Sequence, residues 1–343
     1  MHAVTFQAPG EVAVEQVADP VLQAPDDVIV RVEASGICGS DLHIYHGRVP
    51  VGKGFTIGHE FVGTVTDAGD AVERVAVGDR VLGTFVTACA TCTPCIRGDY
   101  HRCSHGRTFG HGPNLGDLQG AQAEQLLVPH ANLTLRRVPD GMSTDVALFA
   151  GDVMGTGYHS VAHAGVRAGD TVAVLGLGPV GLCAIQAAKA SGAAQIYAID
   201  TVADRLAMAE RFGAMPLHLT EDDPKKAIRA ATGGGVDVTV DAVGDPGPLA
   251  LAVSLTRDAG IVSGIGAYAG KGEIPLGLAW LKGLQLRLGL ANVIAHVDRV
   301  LTLMQAGILD PAPLVTHHMR LADAPEAYRV YDAREALKIV LTP

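Results

Sequence analysis

The chain has 343 residues, beyond the size at which a single hydrophobic core keeps growing, so two domains are expected. With 48% hydrophobic and 18% charged residues, the composition is that of a folding globular chain rather than a disordered one. The net charge of −10 and the lack of any basic block exclude nucleic acid as the expected partner.

From the start, Met1 to Val14 alternates in hydropathy like an edge strand, with no cationic stretch leading into an apolar run, so no signal peptide is read. Short β-type runs follow at Asp27–Glu33, Glu60–Asp67, Arg80–Phe85 and Glu124–Pro129. Turns at Gly69-Asp70 and Gly78-Asp79 separate some of them, which predicts a β-rich, barrel-like domain up to about Phe149. The pattern then changes to alternating β and α: strand Thr171–Leu175, helix Val180–Ala190, strand Gln195–Asp200, helix Ala203–Phe212 and helix Lys225–Ala231. Strand Val236–Asp241, helix Pro248–Leu255 and strand Gly260–Gly264 continue it. Such alternation predicts a parallel, doubly wound sheet, making the whole an α/β chain. A helix near Val297–Ala306, a strand near Val315–Met319 and a helix near Ala324–Tyr331 come next. A final strand, Ala336–Leu341, is expected to return to the first domain.

Thr171 to Ala188 is uncharged and is the one stretch that could pass for a membrane span. Gly176, Gly178, Pro179 and Gly181 interrupt it, and no membrane association is expected. Those residues form Gly176-Leu177-Gly178-Pro179-Val180-Gly181, a G-x-G-x-x-G in the strand–turn–helix setting that a dinucleotide requires. The glycines permit a tight turn and close approach to a pyrophosphate, which the helix N-terminus stabilises. Pro179 fits a first helical turn, where no N–H partner is lost. Asp200 ends the next strand, where an acid commonly holds the ribose hydroxyls of NAD, and Arg205 follows within reach of it. A plain Gly-rich turn and a solvated strand-end acid are the alternatives.

Six cysteines are present, and four of them, Cys89, Cys92, Cys95 and Cys103, fall in one C-x₂-C-x₂-C-x₇-C segment. Four thiolates close a tetrahedron without an open position, which is the mark of structural zinc. Thr93, Pro94, Gly98 and Asp99 supply turns for a loop around an ion. An iron–sulfur cluster uses other spacings; buried or paired cysteines are the remaining alternative. Clustered cysteines without a signal sequence point to a reducing cytoplasm. Upstream, Cys38 in Gly36–His43 and His59 in Gly58-His59-Glu60 are each commonplace alone. A lone cysteine is more often a buried small hydrophobe than a ligand.

Taken together, the fingerprint, the cysteine lobe and the Cys38/His59 pair resemble the zinc-containing medium-chain dehydrogenase/reductase family, the alcohol dehydrogenases, over essentially the whole chain. The resemblance implies a GroES-like catalytic domain at 1–152, completed by 290–343, and a Rossmann NAD-binding domain at 153–289. It implies two zinc ions per chain. Cys38, His59 and Asp152 would hold a catalytic zinc, with Glu60 a near or exchangeable ligand, and Cys89, Cys92, Cys95 and Cys103 a structural one. Asp152 has a plain alternative as a helix N-terminal acid. Ser40 and His43 match the family's proton relay, Thr156 its contact with the nicotinamide, and Lys338 a position near the cofactor phosphates. Gly120–Glu124 and Gly151–Tyr158 look most like a formaldehyde-dehydrogenase-like branch, although the long insertion of the glutathione-independent formaldehyde enzymes is missing.

The resemblance implies hydride transfer between an alcohol and NAD, or the reverse reduction of an aldehyde or ketone, with the metal acting as Lewis acid. Formaldehyde, threonine and polyol dehydrogenase are the substrate variants. A zinc-free quinone-reductase-like enzyme and a non-enzymatic dinucleotide-binding protein are the rivals, and a homotetramer is the implied assembly, with a dimer as the alternative.

Overall fold

The structure is a computed structural model that describes residues 1–268 and 272–343. The chain divides into two compact units: Met1–Gly155 with Asn292–Ala306 and Asp310–Pro343, and Thr156–Ala291 with Gly307–Leu309.

The first unit opens with β1 (His2–Ala8) and β2 (Glu11–Gln16), paired antiparallel. The single edge strand expected there is thus a hairpin, because Gly10 takes a φ of 82° that reverses the chain, and the alternation continues on both sides of it. Strands β3 (Val28–Gly36), β4 (Glu60–Ala68), β5 (Arg80–Gly83), β6 (Gln125–Val128) and β7 (Leu135–Arg137) form its main sheet. Val28, Val30 and Val32 project from alternate positions of β3 into a core with Phe61, Val65, Val81, Phe109 and Leu126. Burying a side chain of this kind contributes about 1.5–3 kcal/mol.

Beyond its expected end at Glu33, β3 runs on to Gly36, which pairs with Glu60 at the start of β4. A side chain at position 36 would push aside the Glu60 carboxylate, so glycine leaves that carboxylate its place.

In the second unit, strands β8 (Thr171–Leu175), β9 (Gln195–Asp200), β10 (Met215–His218), β11 (Val236–Asp241), β12 (Thr256–Gly264) and β13 (Gln285–Leu288) make an all-parallel sheet. Its order is β10-β9-β8-β11-β12-β13, the doubly wound arrangement, with chain reversal beside β8. Both edge strands, β10 and β13, escape the sequence pattern. Pro216 lies inside β10, and proline is tolerated there because an edge strand need not donate on both sides. Only four residues of β13 pair with β12, too few for a period to register.

Back in the first unit, β14 (Val315–Arg320) and β15 (Lys338–Thr342) complete the main sheet, with β15 antiparallel to β3 through Val340↔Gly36 and Leu341↔Ser35. A second apolar cluster joins Ile37, Ile44, Tyr328, Ile339 and Leu341. Among the described residues no helix is long and apolar enough to cross a membrane.

Candidate active site and metal centres

The end of β3, the start of β4 and the turn at Asp152 bring Cys38, His59, Glu60 and Asp152 together, with one donor atom of each within 4.8 Å of the others. His59, Glu60 and Asp152 are 2%, 2% and 7% exposed, so the donors meet inside the protein. His59 Nε2 lies 3.1 Å from Asp152 Oδ2 and 3.3 Å from Ser40 Oγ. Its other nitrogen, Nδ1, lies 3.1 Å from Asp41 Oδ1. Asp41 thereby fixes the ring and leaves Nε2 as the ligand atom, the usual division of labour at a metal histidine.

Thiol, imidazole and carboxylate are the donor types zinc prefers, and three carboxylates against one buried lysine leave room for a cation's charge. Burial would lower the pKa of His59, but the charge of Asp41 and the hydrogen bonds that the ring donates to Asp152 and Asp41 raise it well above the ordinary value. Those carboxylates favour a positive centre at the ring. Burial, reinforced by Asp152, pushes the Cys38 thiol up.

Asp41 was not singled out by sequence. Its carboxylate is fully buried and accepts the Cys38 backbone N–H at 2.9 Å, holding the helix Gly39–Tyr45 at its start. An acid at the third residue of a helix that follows a candidate metal cysteine is the signal that could have found it. Gln122 Nε2 donates to the Gly36 carbonyl at 3.1 Å, and Tyr328 donates its hydroxyl proton to Gln122 Oε1 at 2.9 Å. These two pin the backbone around the metal cysteine. His111 was missed as well: its ring stands 4.9 Å from that of His59, centroid to centroid. Burial and the neighbouring His59 lower its pKa.

Lys338 departs from its expected position. It is 0% exposed and sits 2.5 Å from the Glu60 carboxylate, with the Ile37 carbonyl at 3.1 Å, so it cannot meet a solvent-accessible phosphate. Burial alone would discharge the ammonium; the Glu60 charge wins and pushes its pKa up. Removing either partner would strand a buried charge.

Ser40 and His43 lie three residues apart on the helix Gly39–Tyr45, hence on one face, and both are half-buried.

In the cysteine lobe, the donor atoms of Cys89, Cys92, Cys95 and Cys103 also lie within 4.8 Å of one another, and all four cysteines are free of disulfides. Backbone N–H groups point at the sulfurs: Cys89 and His105 donate to Cys103 at 3.3 and 3.4 Å, and Ser104 donates to Cys92 at 3.4 Å. Backbone hydrogen bonds from Cys95 and Ser104 bring the Cys92 thiol down to about 6. Burial opposes ionisation of Cys89, yet hydrogen bonds from Thr91 bring it to about 7, while burial pushes Cys95 up to about 12. A divalent cation held there would resolve this mixture by ionising all four. Asn292 holds the lobe to the rest of its unit, donating to the Gly98 carbonyl at 2.7 Å.

In the second unit, Gly176 has a φ of 82°, and Gly178 caps the helix Pro179–Ala190, whose first residues are Pro179 and Val180. Any side chain on Gly181 would strike the Gly176 carbonyl, so helix and turn pack as a pyrophosphate site requires. Asp200 Oδ2 accepts the Leu177 N–H at 2.6 Å, and Oδ1 accepts those of Thr201 and Val202 at 2.7 and 3.0 Å. A carboxylate offers about four acceptor positions, so capacity remains for a ribose hydroxyl. Arg205 Nη1 stands 3.9 Å from Asp200 Oδ2, a loose pair. Thr156 is 9% exposed on the helix Val153–Ala164.

A separate cleft of about 410 Å³ in the first unit, bounded by Val17, Pro20, Arg107, Leu118 and Leu127, includes none of these site residues.

A parallel doubly wound unit with a dinucleotide-type turn and a β-rich unit with two donor sets that could hold a cation have together the make-up of a metal-dependent dehydrogenase. Residues 24–140 match the alcohol dehydrogenase GroES-like domain, and residues 179–305 match the zinc-binding dehydrogenase domain. Over 348 aligned residues the chain is 38% identical to a probable zinc-binding alcohol dehydrogenase of Mycobacterium tuberculosis, covering 100% of this chain and 89% of that protein. The structure superposes on an alcohol dehydrogenase from Thermus sp. ATN1 with a TM-score of 0.96 at 44% identity, covering 100% of this chain and 99% of that one. A putative zinc-binding dehydrogenase from Sinorhizobium meliloti, solved bound to NADP, gives a TM-score of 0.86 at 29% identity and covers 100% and 99%. The chain belongs to the zinc-type medium-chain alcohol dehydrogenase family, whose members are oxidoreductases.

Proposed function

We propose that this protein is a zinc-dependent alcohol dehydrogenase that oxidises an alcohol with NAD and reduces the matching aldehyde or ketone in reverse. The observation that carries the reading is the meeting of Cys38, His59, Glu60 and Asp152 donor atoms within 4.8 Å, beside a hydroxyl, Ser40, at 3.3 Å from His59 Nε2. Cys38, His59 and Asp152 would hold the catalytic zinc, with Glu60 kept back by Lys338 and available as an exchange ligand. Cys89, Cys92, Cys95 and Cys103 would hold the structural zinc. When bound, zinc would supply Lewis acidity at the alcohol oxygen and NAD would supply the hydride acceptor.

Ser40 Oγ accepts the alcohol proton as it leaves, because a hydroxyl can take one proton while giving up another. His43, one helical turn on, passes the proton towards solvent, since an imidazole can take a proton at one nitrogen and release one from the other. The Gly176–Gly181 turn, with Pro179 and Val180 opening its helix, would hold the pyrophosphate, and Thr156 would face the nicotinamide. Asp200 would select NAD by accepting from the adenosine ribose, with Arg205 beside it. The first unit would serve as the catalytic domain and the second as the cofactor domain, in a cytoplasmic enzyme.

A second copy of the chain is the proposed protein partner, in a homotetramer. This is supported by the outer edge of β13 and the helix Leu276–Leu281, where Leu276, Trp280 and Leu281 are 70%, 81% and 75% exposed. The formaldehyde-dehydrogenase-like branch rests on Gly120–Glu124 and Gly151–Tyr158, and a formaldehyde assay with and without glutathione separates it from general alcohol oxidation.

The deciding experiment combines zinc analysis of unchelated protein with NADH formation across a panel of primary, secondary and polyhydric alcohols. Two zinc ions per chain and alcohol-dependent NADH are expected. One zinc or none, or no NADH with any alcohol, overturns the reading.

A further inference from the structure

The geometry points to His111 Nε2 as the acceptor for a second hydroxyl of the substrate, on the carbon next to the one oxidised. This inference rests on the alcohol dehydrogenase reading and narrows its substrate class to vicinal diols and polyols.

His111 is placed by backbone rather than by chance. Gly110 before it and Gly112 after it take φ values of 66° and 72°, so the chain kinks on both sides of the ring. Gly110 lies directly against Gly58: a Cβ there would fall 2.6 Å from the Gly58 nitrogen and 2.5 Å from its carbonyl oxygen. Only glycine permits that approach, and it sets residues 58–59 and 110–111 side by side. The result is an edge contact between the imidazoles of His59 and His111 at 4.9 Å and 64°.

The hydrogen bonding then fixes what His111 can do. Its Nδ1 lies 3.0 Å from the Phe109 carbonyl oxygen. A carbonyl only accepts, so Nδ1 carries the hydrogen, and the neutral ring presents Nε2 as a bare acceptor. No described residue hydrogen-bonds that nitrogen, although the ring is half-buried. His111 therefore stands one ring away from His59, the candidate metal ligand, with an acceptor nitrogen open to a donor from outside the chain. A second hydroxyl on the alcohol supplies that donor. A simple alcohol leaves that nitrogen to solvent, and an ether at the same position brings an oxygen that cannot donate.

The test compares a vicinal diol, the mono-alcohol of the same skeleton, and the diol's monomethyl ether. Parent, His111→Phe and His111→Gln are assayed for kcat and KM, for zinc content, and for direct calorimetric binding of each compound to the zinc-loaded protein without cofactor. Expected for the parent is a kcat/KM about 10- to 100-fold higher for the diol than for the mono-alcohol or the ether, carried mainly by KM. His111→Phe brings that ratio to near one and removes the same preference from calorimetry. His111→Gln, which keeps an acceptor at similar reach, restores part of it. A parent that does not distinguish the three compounds in the binding measurement overturns the inference. So does an equal loss on all three in His111→Phe, or loss of catalytic zinc, which would make His111 a ligand. A parent that binds the diol selectively but oxidises no alcohol refutes the dehydrogenase reading instead and leaves His111 as a diol-binding residue.

Discussion

The two metal-ligand clusters use unlike strategies. In the cysteine lobe the donors Cys89 and Cys103 are 14 residues apart, and the local structure amounts to the short helical turns Thr93–Ile96 and Tyr100–Arg102. With so little core of its own, such a lobe depends on its ion for shape. In the other cluster His59 and Asp152 are 93 residues apart, and strands β3, β4 and β15 hold the donors before any ion arrives. With an ion in each, the first site would be folded by its metal and the second folded for it. Loss of metal should therefore cost stability in the first and activity in the second.

That contrast can be broken most sharply at Cys38. Cys38→Ala should cut kcat/KM by about 1,000-fold or more, since several kcal/mol of charge stabilisation disappear at about 1.4 kcal/mol per tenfold. Zinc should fall from two ions to one while the melting temperature moves little. A stable variant that keeps both ions would show that Cys38 is not a ligand.

Next in size is Cys103→Ala, which should release the lobe ion and lower the melting temperature by about 5–10 °C, with folded molecules still turning over. An unchanged melting curve would mean that the lobe does not need its metal.

Asp41→Asn tests the preformed site more gently. An amide in place of the carboxylate weakens the hold on His59 Nδ1, and catalytic zinc affinity should fall about 10- to 100-fold in a chelator competition. Lobe zinc should be retained in the same titration, and equal loss from both sites would contradict the contrast.

The smallest effect is expected outside both clusters. Asp200→Ser should shift the NADP to NAD efficiency ratio upward by about tenfold. This is the low end for one like-charge contact, because three backbone N–H groups already share the Asp200 charge. Both zinc ions should stay in place, and a parent that already uses the two cofactors equally would remove the electrostatic role of Asp200.

The same contrast explains what was legible in the sequence. The lobe and the Gly176–Gly181 turn are local devices, so spacing alone displays them. Strand β8 and the helix after it begin where periodicity and glycine placement put them, because interior parallel strands are nearly pure apolar runs. Cys38 and His59 were readable only through family resemblance, since nothing local says that the end of β3 lies beside the start of β4. Asp41, Gln122 and His111 act through contacts made across the fold, and their residue types are ordinary in the sequence. Lys338 shows the cost of reading charge without burial: a lysine near a family's cofactor-binding segment suggests phosphate, yet the antiparallel pairing of β15 with β3 turns it inward to Glu60.

The placement of β15 also bears on biosynthesis. Lys338, which anchors Glu60, follows Ile37 by 301 residues. At roughly 5–20 residues per second on the ribosome, that separation lasts about 15–60 s. The cysteine lobe can close around an ion soon after it emerges, because its four thiolates leave the exit tunnel almost together. Cys38 and His59 must wait, translated but unsupported, until the strand that flanks them has been made. If each site takes an ion, the nascent chain would acquire the two at different times, the first soon after the lobe emerges and the second only once β15 has been made, when the selectivity of a finished pocket can act on whichever cation the cell offers.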